Sequence, residues 1–199
     1  MVSISNAESV DLGARILDAA TSCIADLGVE RVTLAEIARR AGVSRPTVYR
    51  RWPDARAILA AVLTDRVVEC WVDIPVHGAG REALVGRIVA VARRLRDDDL
   101  VLRVLRSAPE LAMTYIADRL GTSQQVMLDI LVEEIHKTQH SNSIRQGDPR
   151  QLAAMVLLIT QSVIQSGQIV APILDSEDLD QELRYALNGY LVGGGGRPR

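Results

Sequence analysis

The chain has 199 residues, enough for one or two domains at roughly 150 residues each. Apolar residues make up 48% and charged residues 24%, which excludes a disordered chain, and with no Phe any core must be aliphatic. A formal net charge of −2 argues against a nucleic-acid binder, but only as an average: residues 31–66 hold eight Arg against Glu36, Asp54 and Asp65, a net of +5, while residues 67–199 sum to −3.

The elements read almost entirely as helix. Ile16, Ala20, Cys23, Ile24 and Leu27 recur at helical spacing, and Gly28 follows where a left-handed cap would end the helix. Thr33 with Glu36 three residues on is a capping-box start for a second helix, whose inward face is Leu34, Ile37, Ala38 and Ala41. Gly42 breaks it, Ser44 caps a third, short helix, and Pro46 sits in that helix's first turn. A fourth helix, capped by Asp54, runs towards Trp71. After the loop 75–80 come helices over about 81–96 and 100–106, a third after Pro109 that Gly121 ends, and a long one over 123–140. The last two cover about 150–170 and 179–191, separated by Pro172 and an acidic turn (Asp175, Glu177, Asp178). The glycine-rich tail 193–199 is predicted to be disordered.

Residues 33–52, TLAEIARRAGVSRPTVYRRW, have the pattern of a helix-turn-helix. Ala38 allows close crossing of the two helices, Gly42 supplies a turn residue at positive φ, and Val43, Val48 and Trp52 point back to the first helix. Arg45, Pro46, Tyr49 and Arg50 then face outward, with Thr47 and Arg51 on the flanks. A helix of this kind can enter the major groove. Arg45 can fork onto guanine and Pro46 can touch a thymine methyl. The hydroxyls of Thr47 and Tyr49 suit phosphate oxygens, as does the helix start at Thr33, and Ser44 joins the set as the cap of the reading helix. Arg50, Arg51 and Arg56 supply salt-sensitive attraction to the backbone. A plain helical hairpin with a solvated arginine face is the competing account. Charge clustering, caps, turn glycine and apolar spacing agree against it.

The run TLAEIARRAGVSRPTVYRRWPDARAIL resembles the N-terminal domain of the TetR family of repressors, over about residues 10–63. The resemblance implies an all-α homodimer. It would have a three-helix DNA-binding domain (1–53) and a larger ligand-binding and dimerisation domain (54–192), linked by a fourth helix that transmits ligand binding to the DNA heads. It implies a double-stranded operator and an unidentified small-molecule inducer as partners, with no cofactor. Trp52 stands where the family often has Phe, and Ala55 where it often has Lys, with Arg56 as a stand-in.

Elsewhere the sequence says less. Glu133, His136 and His140 have a spacing that could hold a metal, but with no fourth ligand in sight they read as a polar helix end. On the helix over 150–170, Leu152, Val156, Ile159 and Val163 form one stripe and Gln161, Gln165 and Gln168 another. Leu152, Val156, Ile159 and Val163, with Leu183 and Leu187, are candidates for a dimer interface. Trp71, Met113, Tyr115, Met127, Gln161 and Gln165 are candidate pocket liners, although Met and aromatics at helical spacing equally suit a plain core. No nucleophile elbow, phosphate loop or supported His–carboxylate pair points to an enzyme. The N-terminus lacks a secretory pattern, the most apolar run (153–159) is short for a membrane span, and Cys23 and Cys70 form no metal or disulfide pattern, so a cytoplasmic protein away from membranes is expected. A ligand-binding or protein-interaction module without operator binding remains the alternative function.

Overall fold

The computed structural model describes residues 3–107, 121–141 and 143–192, with side chains from residue 12 onward. Its elements there are helices: α1 (Ser3–Leu27), α2 (Leu34–Ala41), α3 (Arg45–Arg51), α4 (Ala55–Asp73), α5 (Gly80–Arg96), α6 (Asp99–Ser107), α7 (Thr122–His140), α8 (Pro149–Val170) and α9 (Ser176–Leu191). The helix expected after Pro109 and the tail 193–199 lie outside the described residues. Two compact units form, one from Met1–Asp65 with Asp99–Ser123, the other from Arg66–Asp98 with Gln124–Arg199.

The first unit gathers around one aliphatic core. Ile16, Ala20, Cys23 and Ile24 of α1 meet Leu34, Ile37 and Ala38 of α2, Val48 of α3 and Ile58, Leu59 and Val62 of α4. Leu100 and Val104, one turn apart on α6, complete it. The unit therefore reaches beyond the boundary expected at residue 53, because Ile58, Leu59 and Val62 of α4 and Leu100 and Val104 of α6 bury their side chains here. Each such aliphatic side chain contributes about 1.5–3 kcal/mol by leaving water. Gly28 also departs from expectation. Its φ of 81° is positive, but its ψ of 157° places it in the extended region open to glycine rather than in a left-handed cap, and it leads into a 3₁₀ turn, Val29–Arg31.

In the second unit α5 packs against α8 and α9, which pack against each other. Val85 and Ile88 of α5, Leu152 and Val156 of α8, and Leu183 and Leu187 of α9 are buried among the core residues. Helix α9 starts a turn earlier than its apolar pattern suggested. Asp175 is its cap, accepting from the N–H groups of Glu177 and Asp178 at 2.9 Å each, so the acidic turn belongs to the helix and complements its dipole. A charged knot lies inside this unit. Asp180 (4% exposed) accepts from Arg96 (7% exposed) at 2.7 Å and from Arg93. Gly167 makes room for it, since a Cβ there would sit 3.0 Å from the Arg96 stem.

Candidate nucleic-acid interface

Local chemistry builds the turn between α2 and α3. Thr33 caps α2 by accepting from the Glu36 N–H at 3.2 Å. Gly42 adopts the left-handed conformation (φ 66°, ψ 35°), and its N–H meets the carbonyls of Ala38 and Arg39. The Val43 N–H returns to Ala38 at 3.0 Å, which closes the helix end and turns the chain. Ser44 then caps α3 through the Thr47 N–H at 3.3 Å, with Pro in the first turn. Helix α3 has seven residues and is pinned by fully buried Val48, while half-buried Val43 and Trp52 pack on the same core.

The opposite face is open. Arg45, Pro46, Arg50 and Arg56 are exposed, as is Tyr49 at 52%. The Ser44 and Thr47 hydroxyls lie 2.7 Å apart, so one donates to the other and a single hydroxyl hydrogen of the pair is left for an outside acceptor.

Not every arginine of the basic segment is available. Arg39 and Arg40 both bind the Glu36 carboxylate, at 2.6 and 2.9 Å, and Arg40 also reaches Asp26 (2.5 Å) and Ser22 (3.0 Å) on α1. These guanidinium hydrogen bonds, Arg39 first and then Arg40, hold the Glu36 carboxyl down to about 2. The capping box is thus half made: Thr33 caps Glu36, but the Glu36 side chain turns to the arginines instead of back to Thr33. Arg66 is paired with Glu69 (3.1 Å) and Asp98 (3.2 Å). Arg51 is exposed but engaged, with its Nη1 over Gly13 of α1. Within the basic segment 31–66, Arg31, Arg45, Arg50 and Arg56 are exposed without an ion pair among the described residues. Sequence reasoning gives Arg31 no role beyond its charge, yet it stands exposed just ahead of Thr33 at the start of α2.

None of the candidate pocket liners among the described residues lines the cavity recorded in the second unit. Met113 and Tyr115 lie outside the described residues. Trp71 is buried beneath the Arg87 guanidinium, 4.1 Å from the ring centroid, and Met127 is buried in α7. Gln161 accepts from Gln124 at 2.5 Å, and Gln165 is half-buried. An open cavity of about 610 Å³ does exist between α5 and α9, but Ile74, Val89, Ala90, Arg93, Arg94, Asp97, Asp98, Asp180 and Arg184 line it, none of them a predicted liner. Leu152, Val156, Leu183 and Leu187 are corrected as interface candidates. They are buried in the chain's own core and have no surface to offer a partner, whereas Ile159 and Val163 are half-buried. The rings of His136 and His140 stack edge-on at 4.7 Å and Glu133 lies 3.9 Å from Lys137. Among the described residues no three metal-ligating side chains converge.

Helix α8 is longer and more apolar than the short run 153–159 suggests. Its most apolar stretch has a mean hydropathy of 1.4, and by length and composition alone the helix could cross a membrane, with 28% of that stretch buried. Its buried face belongs to the core of the second unit. Met155 (42% exposed) and Leu158 (57% exposed) remain outside, as does Tyr185 (80% exposed) on α9.

Comparison with known proteins gives this arrangement a family. Residues 16–62 match the description of bacterial regulatory proteins of the tetR family. The chain is 59% identical to the HTH-type transcriptional regulator Rv2250c of Mycobacterium tuberculosis over 191 residues, 96% of this chain and 100% of the relative. It shares its fold with the TetR-family repressor QsdR of R. erythropolis (TM-score 0.72, 17% identity, 94% of this chain and 98% of that one). It also shares it with RolR solved with the ligand resorcinol (TM-score 0.61, 19% identity, 94% and 90%). A basic, outward-facing short helix on a capped glycine turn, in an all-helical chain with a full-length regulator relative, identifies this protein as a member of the TetR family of helix-turn-helix DNA-binding transcriptional regulators.

Proposed function

We propose that the chain is a repressor that binds a palindromic operator as a homodimer and leaves it when a small molecule occupies the second unit. The observation that carries the operator reading is the face of α3, where Arg45 and Arg50 flank exposed Tyr49 without internal ion pairs, on a helix pinned from behind by Val48. Arg45 at the helix start reads a guanine edge and Pro46 meets a thymine methyl. Tyr49, the spare Ser44–Thr47 hydroxyl and the start of α2 at Thr33 take phosphate oxygens, and Arg50, Arg56 and Arg31 supply attraction to the backbone.

A second copy covers the apolar surface that remains on α8 and α9, centred on Met155, Leu158 and Tyr185. Two heads related by a twofold axis then meet half-sites about one helical turn apart, or a multiple of it. Two neighbours support a ligand-relieved repressor: QsdR is a transcriptional repressor and RolR was solved with resorcinol. The effector acts by binding more tightly to the state of the dimer that cannot bind DNA.

The test is selection of duplexes from a random-sequence pool by the full chain, followed by anisotropy titration across a salt series. A two-half-site palindrome should emerge, bound as a dimer with steep salt dependence. Failure to enrich any duplex over the starting pool sinks the operator reading.

A further inference from the structure

We infer that Arg51 is a positioning residue and not a phosphate ligand: its guanidinium braces the end of the recognition helix against α1 at Gly13. A Cβ on Gly13 would stand 2.9 Å from Arg51 Nη1, so the arginine head rests on α1 where that helix carries no side chain. Arg45, Arg50 and Arg56 keep their charges for an outside partner, but Arg51 is already engaged. The contact is one of a series from the same helix. Arg15 Nη2 donates to the Ala41 carbonyl at 3.0 Å, at the end of α2, and Ser22 and Asp26 receive Arg40.

A brace is needed because α3 has only seven residues, too few to be stable through its own hydrogen bonds. Val48 and Trp52, the latter just beyond the last residue of the helix, hold the inner side of α3 on the core, and Arg51 adds a contact to α1 on the other side. Arg51, the last residue of the helix, ties that end to α1 and so sets the angle at which Arg45 and Tyr49 are presented. This rests on the operator reading only for its DNA readout, so one arm of the test uses no DNA.

The variants are Arg51→Gln, Gly13→Ala and the double, all in the full chain. Gly13→Ala fills the seat with a methyl and displaces only the end of a flexible side chain, so the fold survives. Ala is also the better helix former, so any loosening runs against propensity. Both single variants should raise amide exchange at residues 48–52 severalfold, and the double should raise it no further. On mixed-sequence genomic duplex, Arg51→Gln should leave the slope of log affinity against log salt unchanged. Arg50→Gln should lower it by about 1.8 per dimer, roughly 0.9 for each phosphate that is no longer neutralised. Unchanged exchange in either single variant, or a slope that falls for Arg51→Gln as it does for Arg50→Gln, overturns the assignment.

Discussion

Arginine does opposite work in the two units. In the first, Arg31, Arg45, Arg50 and Arg56 stand in solvent without an ion pair among the described residues. In the second, most guanidinium groups are engaged within the fold, Arg184 being exposed without an ion pair among the described residues. Arg96 and Arg93 converge on Asp180, Arg81 donates to Asn188 at 2.9 Å, and Arg87 and Arg145 lie 4.1 and 4.6 Å over the rings of Trp71 and Tyr190. An exposed, unpaired guanidinium does little for its own fold and keeps its attraction for a phosphate, whereas a paired one locks helices together. The lesson is that net charge along the sequence locates an interface only after internal pairs are subtracted. Of the basic segment, Arg39 and Arg40 belong to Glu36 and Asp26, and Arg66 to Glu69 and Asp98.

The contrast breaks most visibly in the second unit. Asp180→Ala leaves Arg96 buried without its counter-charge, and Arg96 Nη1 already finds no acceptor among the described residues. The expected loss is about 3–5 kcal/mol, read as a lower urea midpoint. Replacing the pair together, Asp180→Leu with Arg96→Met, should recover most of it, because two apolar side chains leave no buried charge. If Asp180→Ala melts like the wild type, the knot is not what locks α5 to α9. Leu158→Glu comes next. It sets a charge in the apolar face assigned to the second copy and should weaken dimerisation by about 2–4 kcal/mol, measured by sedimentation equilibrium, without altering the helical circular dichroism.

The parts of this division that were legible in the sequence are local. Thr33, Gly42, Ser44 and Pro46 act within four residues of themselves, so their caps and turn could be read from the order of residues alone. The fate of Arg40 and Arg51 could not, because Arg40 also finds Asp26 fourteen residues away and Arg51 lies over Gly13 on a different helix. Leu100 and Val104 read as a helix face, but nothing local says that the face belongs to the first unit. The stripe Leu152–Val156 shows the same gap. A periodic apolar face looks identical whether the chain's own core or a partner covers it, and here the core claims it.

On the DNA-facing side two substitutions separate reading from attraction. Arg45→Ala should cost about 1–3 kcal/mol on the selected operator and relax preference at one base pair per half-site. Arg50→Ala should weaken all duplexes to a similar degree and flatten the salt dependence. If Arg45→Ala behaves like Arg50→Ala, with equal losses on selected and random duplex, then Arg45 touches phosphate and the base-reading residue lies elsewhere on α3.

Glu36 supplies the smallest effect, and it shows where the first unit behaves like the second. Its carboxyl is held at about 2 in the folded chain, against an ordinary value of 4.5, by hydrogen bonds from Arg39 and Arg40. The folded state therefore favours the ionised form. The stabilisation is fully present above about pH 4.5 and fades as pH falls towards 2, where the folded chain also takes up the proton. Glu36→Gln should lower stability at neutral pH, and the gap between variant and wild type should close as an acid titration passes through that window. The same substitution releases Arg39, which is 71% exposed, from its carboxylate. If Arg39 lies within reach of the duplex, its freed charge should steepen the salt dependence of DNA binding. If it faces away, stability falls and the slope does not change, so one variant separates the internal pair from the DNA-facing charge.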